Sequence, residues 1–89
     1  MRLKLLRAFW NCGDGQIIEF ALLRAHLNKR EYEVINLMLD ECLTQEETAE
    51  ALNYSTRKIQ DLWVSGADKL LRIPWVRAYA IELTGLKLD

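Results

Sequence analysis

One proline and no strongly alternating run rich in valine, isoleucine and threonine leave helices as the regular structure this 89-residue sequence supports. The helix boundaries are written into it. Asn28 with Glu31, and Thr44 with Glu47, have the spacing of capping boxes, in which each side chain satisfies an orphan N–H of the other's turn. Asp14 and Ser55 are also good N-caps, Pro74 suits a first helical turn, and Gly13 and Gly85 suit helix ends. Hydrophobic residues at 51% allow one modest core and argue against disorder. The expected architecture is all-α, a compact helical bundle of about five helices forming a single domain over residues 1–89. A sixth element appears if the short first helix is counted separately.

The expected helices cover about residues 3–10, 15–27, 29–41, 45–52, 56–71 and 74–83. In the first, Leu3, Leu6 and Trp10 share a face. The second has the stripe Ile17, Phe20, Ala21 and Leu27, widened by Ile18, Leu22 and Leu23. The third buries Val34, Leu37 and Met38, with Ile35 beside them. Ala49 and Leu52 point inward from the fourth. Ile59, Leu62, Trp63, Ala67, Leu70 and Leu71 point inward from the fifth.

Several function classes are disfavoured. No apolar run approaches the roughly 20 residues needed to cross a bilayer. The start, MRLKLLRAFW, mixes charge into its apolar residues, unlike a signal peptide, so a cytoplasmic protein is expected. Cys12 and Cys42 stand alone and are expected to be reduced and apolar. His26 is expected on a helix as a packing or surface residue. A zinc site needs about four ligands at short spacing, so neither a metal nor another cofactor is expected. No nucleophile–base pair or phosphate loop is present, and an enzyme is not expected.

A net charge of −1 argues against coating DNA by charge alone. The distribution is more informative. Arg2, Lys4 and Arg7 make the start basic. Asp40, Glu41, Glu46, Glu47 and Glu50 form an acidic stretch. Arg57, Lys58, Lys69 and Arg72 then outnumber Asp61 and Asp68.

The chemistry concentrates in residues 44–63, TQEETAEALNYSTRKIQDLW. A helix-turn-helix needs a short helix, a tight turn with one residue at positive φ, and a longer helix crossing the first. Ala49 supplies the small residue at the crossing. Asn53 supplies the turn, since asparagine accepts positive φ better than most residues. Ile59 and Leu62 anchor the second helix. The expected helix-turn-helix spans about residues 44–64. Its expected DNA-binding residues are Ser55, Thr56, Arg57, Lys58, Gln60, Asp61 and Val64. Arginine pairs bidentately with guanine, glutamine with adenine, and lysine binds phosphate. Ser55 and Thr56 can offer backbone N–H groups to a phosphate.

Residues 27–71, about half the chain, resemble region 4 of bacterial sigma factors, the domain that reads the upstream promoter element. The matching pieces are Arg30-Glu31 followed by Val34-Ile35 and Leu37, then Leu43-Thr44-Gln45-Glu46-Glu47-Thr48-Ala49, then Leu52-Asn53-Tyr54-Ser55 and Ile59. The run from Leu43 to Ala49 is the most specific part. The remainder is shared with other helix-turn-helix groups, including LuxR-type regulators. Thr48 stands where the family usually has Ile or Leu, Asn53 where it usually has Gly, and Asp61 where it often has a basic residue. The resemblance implies a transcription regulator that binds double-stranded DNA, with RNA polymerase as a further partner. The length implies a region-4-like module standing alone, as in small phage or mobile-element regulators.

The last helix, PWVRAYAIEL, is apolar around nearly its whole circumference and must be covered. Either the first helix covers it or a second chain does, giving a homodimer through the terminal helices. A DNA-free alternative is a protein-interaction module that binds RNA polymerase or another factor. A third is an accessory protein of DNA packaging or recombination.

Overall fold

In the computed structural model, which describes residues 2–11 and 14–85, the chain runs through six α-helices. They are α1 (Arg2–Trp10), α2 (Gly15–Ala25), α3 (Lys29–Ile35), α4 (Gln45–Leu52), α5 (Thr56–Leu71) and α6 (Pro74–Thr84). A π-helical turn, Asn36–Asp40, follows α3 directly. The described residues contain no strand. The count is six rather than about five, because the short α1 is a full element with its own buried face.

The caps act as the local chemistry requires. Asn28 Oδ1 accepts from the Glu31 N–H at 2.8 Å, and Glu31 Oε1 accepts from the Asn28 N–H at 3.0 Å. Thr44 and Glu47 repeat the arrangement at 3.1 and 3.0 Å. Asp14 Oδ1 accepts from the Gln16 and Ile17 N–H groups at 3.0 and 3.4 Å. Gly85, at φ 70°, ends α6 in the left-handed conformation. The expected cap Gly13 and the cysteine Cys12 lie outside the described residues.

The long α5 is the axis of the packing. It lies against α3, α4, α6, α2 and α1, and α1 lies against α6. Leu5, Leu6 and Phe9 of α1, Val34 and Ile35 of α3, Ile59, Ala67 and Leu70 of α5, and Val76 and Ala80 of α6 are all fully buried. Each large aliphatic or aromatic side chain among them contributes roughly 1.5–3 kcal/mol through its removal from water. Where α5 passes α3, Gly66 allows close approach: a Cβ there would lie 3.1 Å from Ile35 Cγ1 and 3.2 Å from Ile35 Cδ1.

Four sequence expectations need correction. The buried face of α1 is Leu5, Leu6 and Phe9, while Leu3 and Trp10 are only partly covered, because α6 lies over Phe9 and packs its Trp75 and Tyr79 rings against it. Phe9 packs edge-on to Tyr79 with ring centroids 6.0 Å apart, and 6.2 Å from Trp75. Second, α2 stops at Ala25 and buries only Ala21 and Ala25, leaving Phe20 and Leu23 in solvent. His26 is its exposed left-handed cap, at φ 53°. Third, the third helix does not continue to Glu41 as an α-helix. It widens after Ile35, and the Glu41 N–H reaches the Asn36 carbonyl five residues back at 3.2 Å. The wider turn rotates the face, so Met38 and Leu39 are buried and Leu37 only half so. Fourth, Cys42 is free but exposed, in the loop after that turn at φ 57°.

Of the two routes the sequence left open, α1 packs along one face of the last helix, while Trp75 and Leu83 on that helix remain 37% and 47% exposed. Val76 and Ala80 are buried in that contact. No helix among the described residues is long and apolar enough to cross a membrane.

Candidate nucleic-acid interface

The segment between α4 and α5 is set by Thr48, Ala49, Asn53 and Ser55. Thr48 and Ala49 are buried on the inner face of α4, and the Thr48 hydroxyl donates to the Thr44 carbonyl at 2.8 Å. A polar residue is therefore tolerated where an aliphatic one would be simpler, because its one donor is satisfied within its own helix. Asn53 then turns the chain at φ 58°, ψ 43°. The Tyr54 N–H donates to the Ala49 carbonyl at 2.9 Å and the Asn53 N–H to the Glu50 carbonyl at 3.3 Å, the paired bonds of a Schellman ending. Ser55, extended at φ −69° and ψ 154°, restarts the chain as the N-cap of α5, its Oγ accepting from the Lys58 N–H at 3.1 Å. The connection is thus only three residues long.

Ile59 is fully buried and Trp63 nearly so, which fixes the rotation of α5 about its own axis. Ser55, Thr56, Arg57, Gln60 and Asp61 consequently share the exposed side of its first two turns. At 16 residues α5 is about 24 Å long, and this exposed side lies at its N-terminal end. The other two expected site residues are less open. Lys58 is half-buried, with Nζ 4.3 Å from the centroid of the Tyr54 ring, a cation–π contact that holds the ammonium near the turn. Val64 is half-buried and packs on the edge of the core.

The electrostatics of the exposed end are mixed. Arg57 Nε lies 3.9 Å from Asp61 Oδ1, one turn on, with the two side chains 87% and 71% exposed. The guanidinium is therefore partly neutralised on the very face that carries it. Glu46, Glu47 and Glu50 are exposed along α4.

A groove of about 500 Å³ adjoins this end, bordered by α1, the start of α4 and the side of α5. Gln60 and Val64 line one wall, Gln45 and Glu46 another, and Leu3 and Arg7 the third. Arg7 Nε is buried there without a hydrogen-bond partner among the described residues. Sequence reasoning placed Arg7 only in the basic start of the chain. Nothing in its spacing relates it to Gln60; the fold brings the two together by laying α1 across α5.

A scan against protein-family models, a search of curated proteins and a search of solved structures each found no match to this chain.

Proposed function

We propose that this chain is a DNA-binding transcription regulator, built on a helix-turn-helix similar to that of sigma factor region 4. In this reading α4 is the supporting helix and α5 the recognition helix, its first two turns entering the major groove of double-stranded DNA. The observation that carries the reading is the α4–α5 junction. Asn53 in the left-handed conformation, Ala49 at the crossing and Ile59 buried beneath it leave Thr56, Arg57, Gln60 and Asp61 exposed together at the head of a long helix. That is the arrangement a groove-reading helix requires, with base-reading side chains near its N-terminus. Arg57 and Gln60 are the base readers, on guanine and adenine edges respectively. Ser55 and Thr56 offer N–H groups to a flanking phosphate, and Lys58 contributes charge from beside Tyr54.

The test is retention of random duplex DNA by the purified protein at low and moderate salt, followed by sequencing. An enriched motif that weakens as salt rises supports the reading. No retention at low salt overturns it. The exposed acids of α4, Glu46, Glu47 and Glu50, favour a second reading in which that face binds a basic surface of RNA polymerase or another factor. In that case a pull-down with polymerase succeeds and survives Arg57→Ala.

A further inference from the structure

The outward face of α2 is apolar where it meets solvent. Phe20 is 55% exposed and Leu23 70%, although both belong to an 11-residue helix whose inner face is held by alanines. The Phe20 ring lies 5.9 Å from that of Trp75, itself 37% exposed, so the surface continues from α2 onto the start of α6. A groove of about 440 Å³ runs between them, with Ile17 and Tyr79 in its walls. Three of the five exposed large hydrophobic residues among the described ones, Phe20, Leu23 and Trp75, thus gather on one surface, and a contiguous apolar patch of this kind marks a surface for association.

The charges flanking the patch select its occupant. With Phe20 at position a of a heptad and Leu23 at d, Gln16 falls on the preceding d, Glu19 on g and Arg24 on e. Between parallel helices, g of one chain faces e of the other five residues further on. Glu19 then meets Arg24 of the second copy, and twofold symmetry repeats the pair. Between antiparallel helices g faces g and e faces e, which would oppose Glu19 to Glu19 and Arg24 to Arg24. Within the chain, no ion pair joins Glu19 to a cation among the described residues. Arg24 Cζ lies 5.9 Å from the centroid of the Phe20 ring, at the rim of the same patch.

We propose that a second copy of this chain docks on α2, the two α2 helices running parallel, with Phe20 and Leu23 in the seam, Trp75 beside it and Glu19–Arg24 pairs across it. The seam holds only two apolar layers on a helix about 16 Å long, so the dimer is weak and depends on concentration. This contact is independent of the DNA-binding reading and is tested without DNA.

The experiment is sedimentation equilibrium of the intact protein from low to high micromolar concentration at low salt. The expected result is a mass that rises from one chain towards two. Phe20→Ser, at an exposed position, should weaken association roughly tenfold or more while the helical circular dichroism is unchanged. Glu19→Arg should weaken it roughly fivefold by placing arginines opposite each other, and the double variant Glu19→Arg/Arg24→Glu should restore it. A protein that stays monomeric throughout overturns the proposal. So does a Glu19→Arg variant that associates like the parent, or a double variant that fails to recover.

Discussion

Glu31 and Lys69 meet at 2.7 Å, Oε1 to Nζ, across the contact between the start of α3 and the end of α5. Glu31 is 1% exposed and carries more than a cap. The same carboxylate accepts from the Asn28 N–H, and its second oxygen accepts from the Ser65 hydroxyl. Burial pushes the carboxyl pKa up. The hydrogen bonds from Lys69, Ser65 and Asn28, with the lysine charge, outweigh burial and hold it below the ordinary carboxylate range. One residue thus closes a local cap and pins two helices that are distant in sequence.

Glu31→Ala should destabilise the fold by about 2–4 kcal/mol, since it removes a cap and leaves Lys69 and Ser65 without their acceptor. Lys69→Met keeps the Asn28 cap and the Ser65 bond but leaves the buried Glu31 carboxylate without its cation; because the lysine side chain is 35% exposed and the pair partly screened, the cost should be smaller, about 1–2 kcal/mol. Urea unfolding of the two variants checks the order. The pH dependence has a definite sign. A carboxyl lowered in the folded state stabilises fully above its unfolded pKa of about 4.3, and that contribution is lost as pH falls through the folded value. Glu31→Gln should flatten this acid limb of the stability curve.

In the proposed DNA-binding reading, Asp61 limits the positive charge at the exposed end of α5. Asp61→Asn frees Arg57 and removes a negative charge from the exposed face, so duplex affinity should rise several-fold at low salt and less at high salt. Arg57→Ala should weaken binding and relax base preference at one position, while Lys58→Ala should weaken all sequences alike. Fluorescence anisotropy across a salt series separates the two. If Asp61→Asn left affinity unchanged, the exposed end of α5 would not be the contact surface.

Asn53 holds the α4–α5 turn at φ 58°. Asn53→Gly should be neutral or slightly stabilising, and Asn53→Val should cost about 1–2 kcal/mol because a β-branched residue resists this conformation. Thermal unfolding reads the difference. The valine variant should also lose DNA binding more than its stability loss explains, since the turn sets how α5 leaves α4.

Gly66 lies where α5 packs tightly against Ile35 and Glu31 of α3. Gly66→Ala gains helix propensity of about 1 kcal/mol but presses a Cβ against the buried Ile35, so the two effects should nearly cancel. Gly66→Val has no such compensation and should destabilise by about 2 kcal/mol. Pairing Gly66→Ala with Ile35→Val should relieve the overlap and show positive coupling in a double-mutant cycle.

Helix identity and most boundaries were legible in the sequence because they depend on neighbours three or four residues apart. Asn28 with Glu31, Thr44 with Glu47, Ser55 with the Lys58 amide, and Asn53 at positive φ all behave as their local chemistry dictates. The same holds for the exposure of Thr56, Arg57, Gln60 and Asp61, which follows from burying Ile59 on a 3.6-residue period. What could not be read locally is which apolar residues would find partners. Periodicity gave Phe20 and Leu23 to the core, yet only Ala21 and Ala25 of that helix are buried. The π turn after Ile35 moved burial from Leu37 to Leu39, and the packing of α6 on α1 put Phe9 inside and left Leu3 at the rim. The double use of Glu31 and the arrival of Arg7 beside Gln60 belong to the same class. Backbone hydrogen bonds and caps are satisfied within a turn, so the sequence alone determines them. Burial is shared among helices that meet across long stretches of chain, so only the tertiary structure decides it.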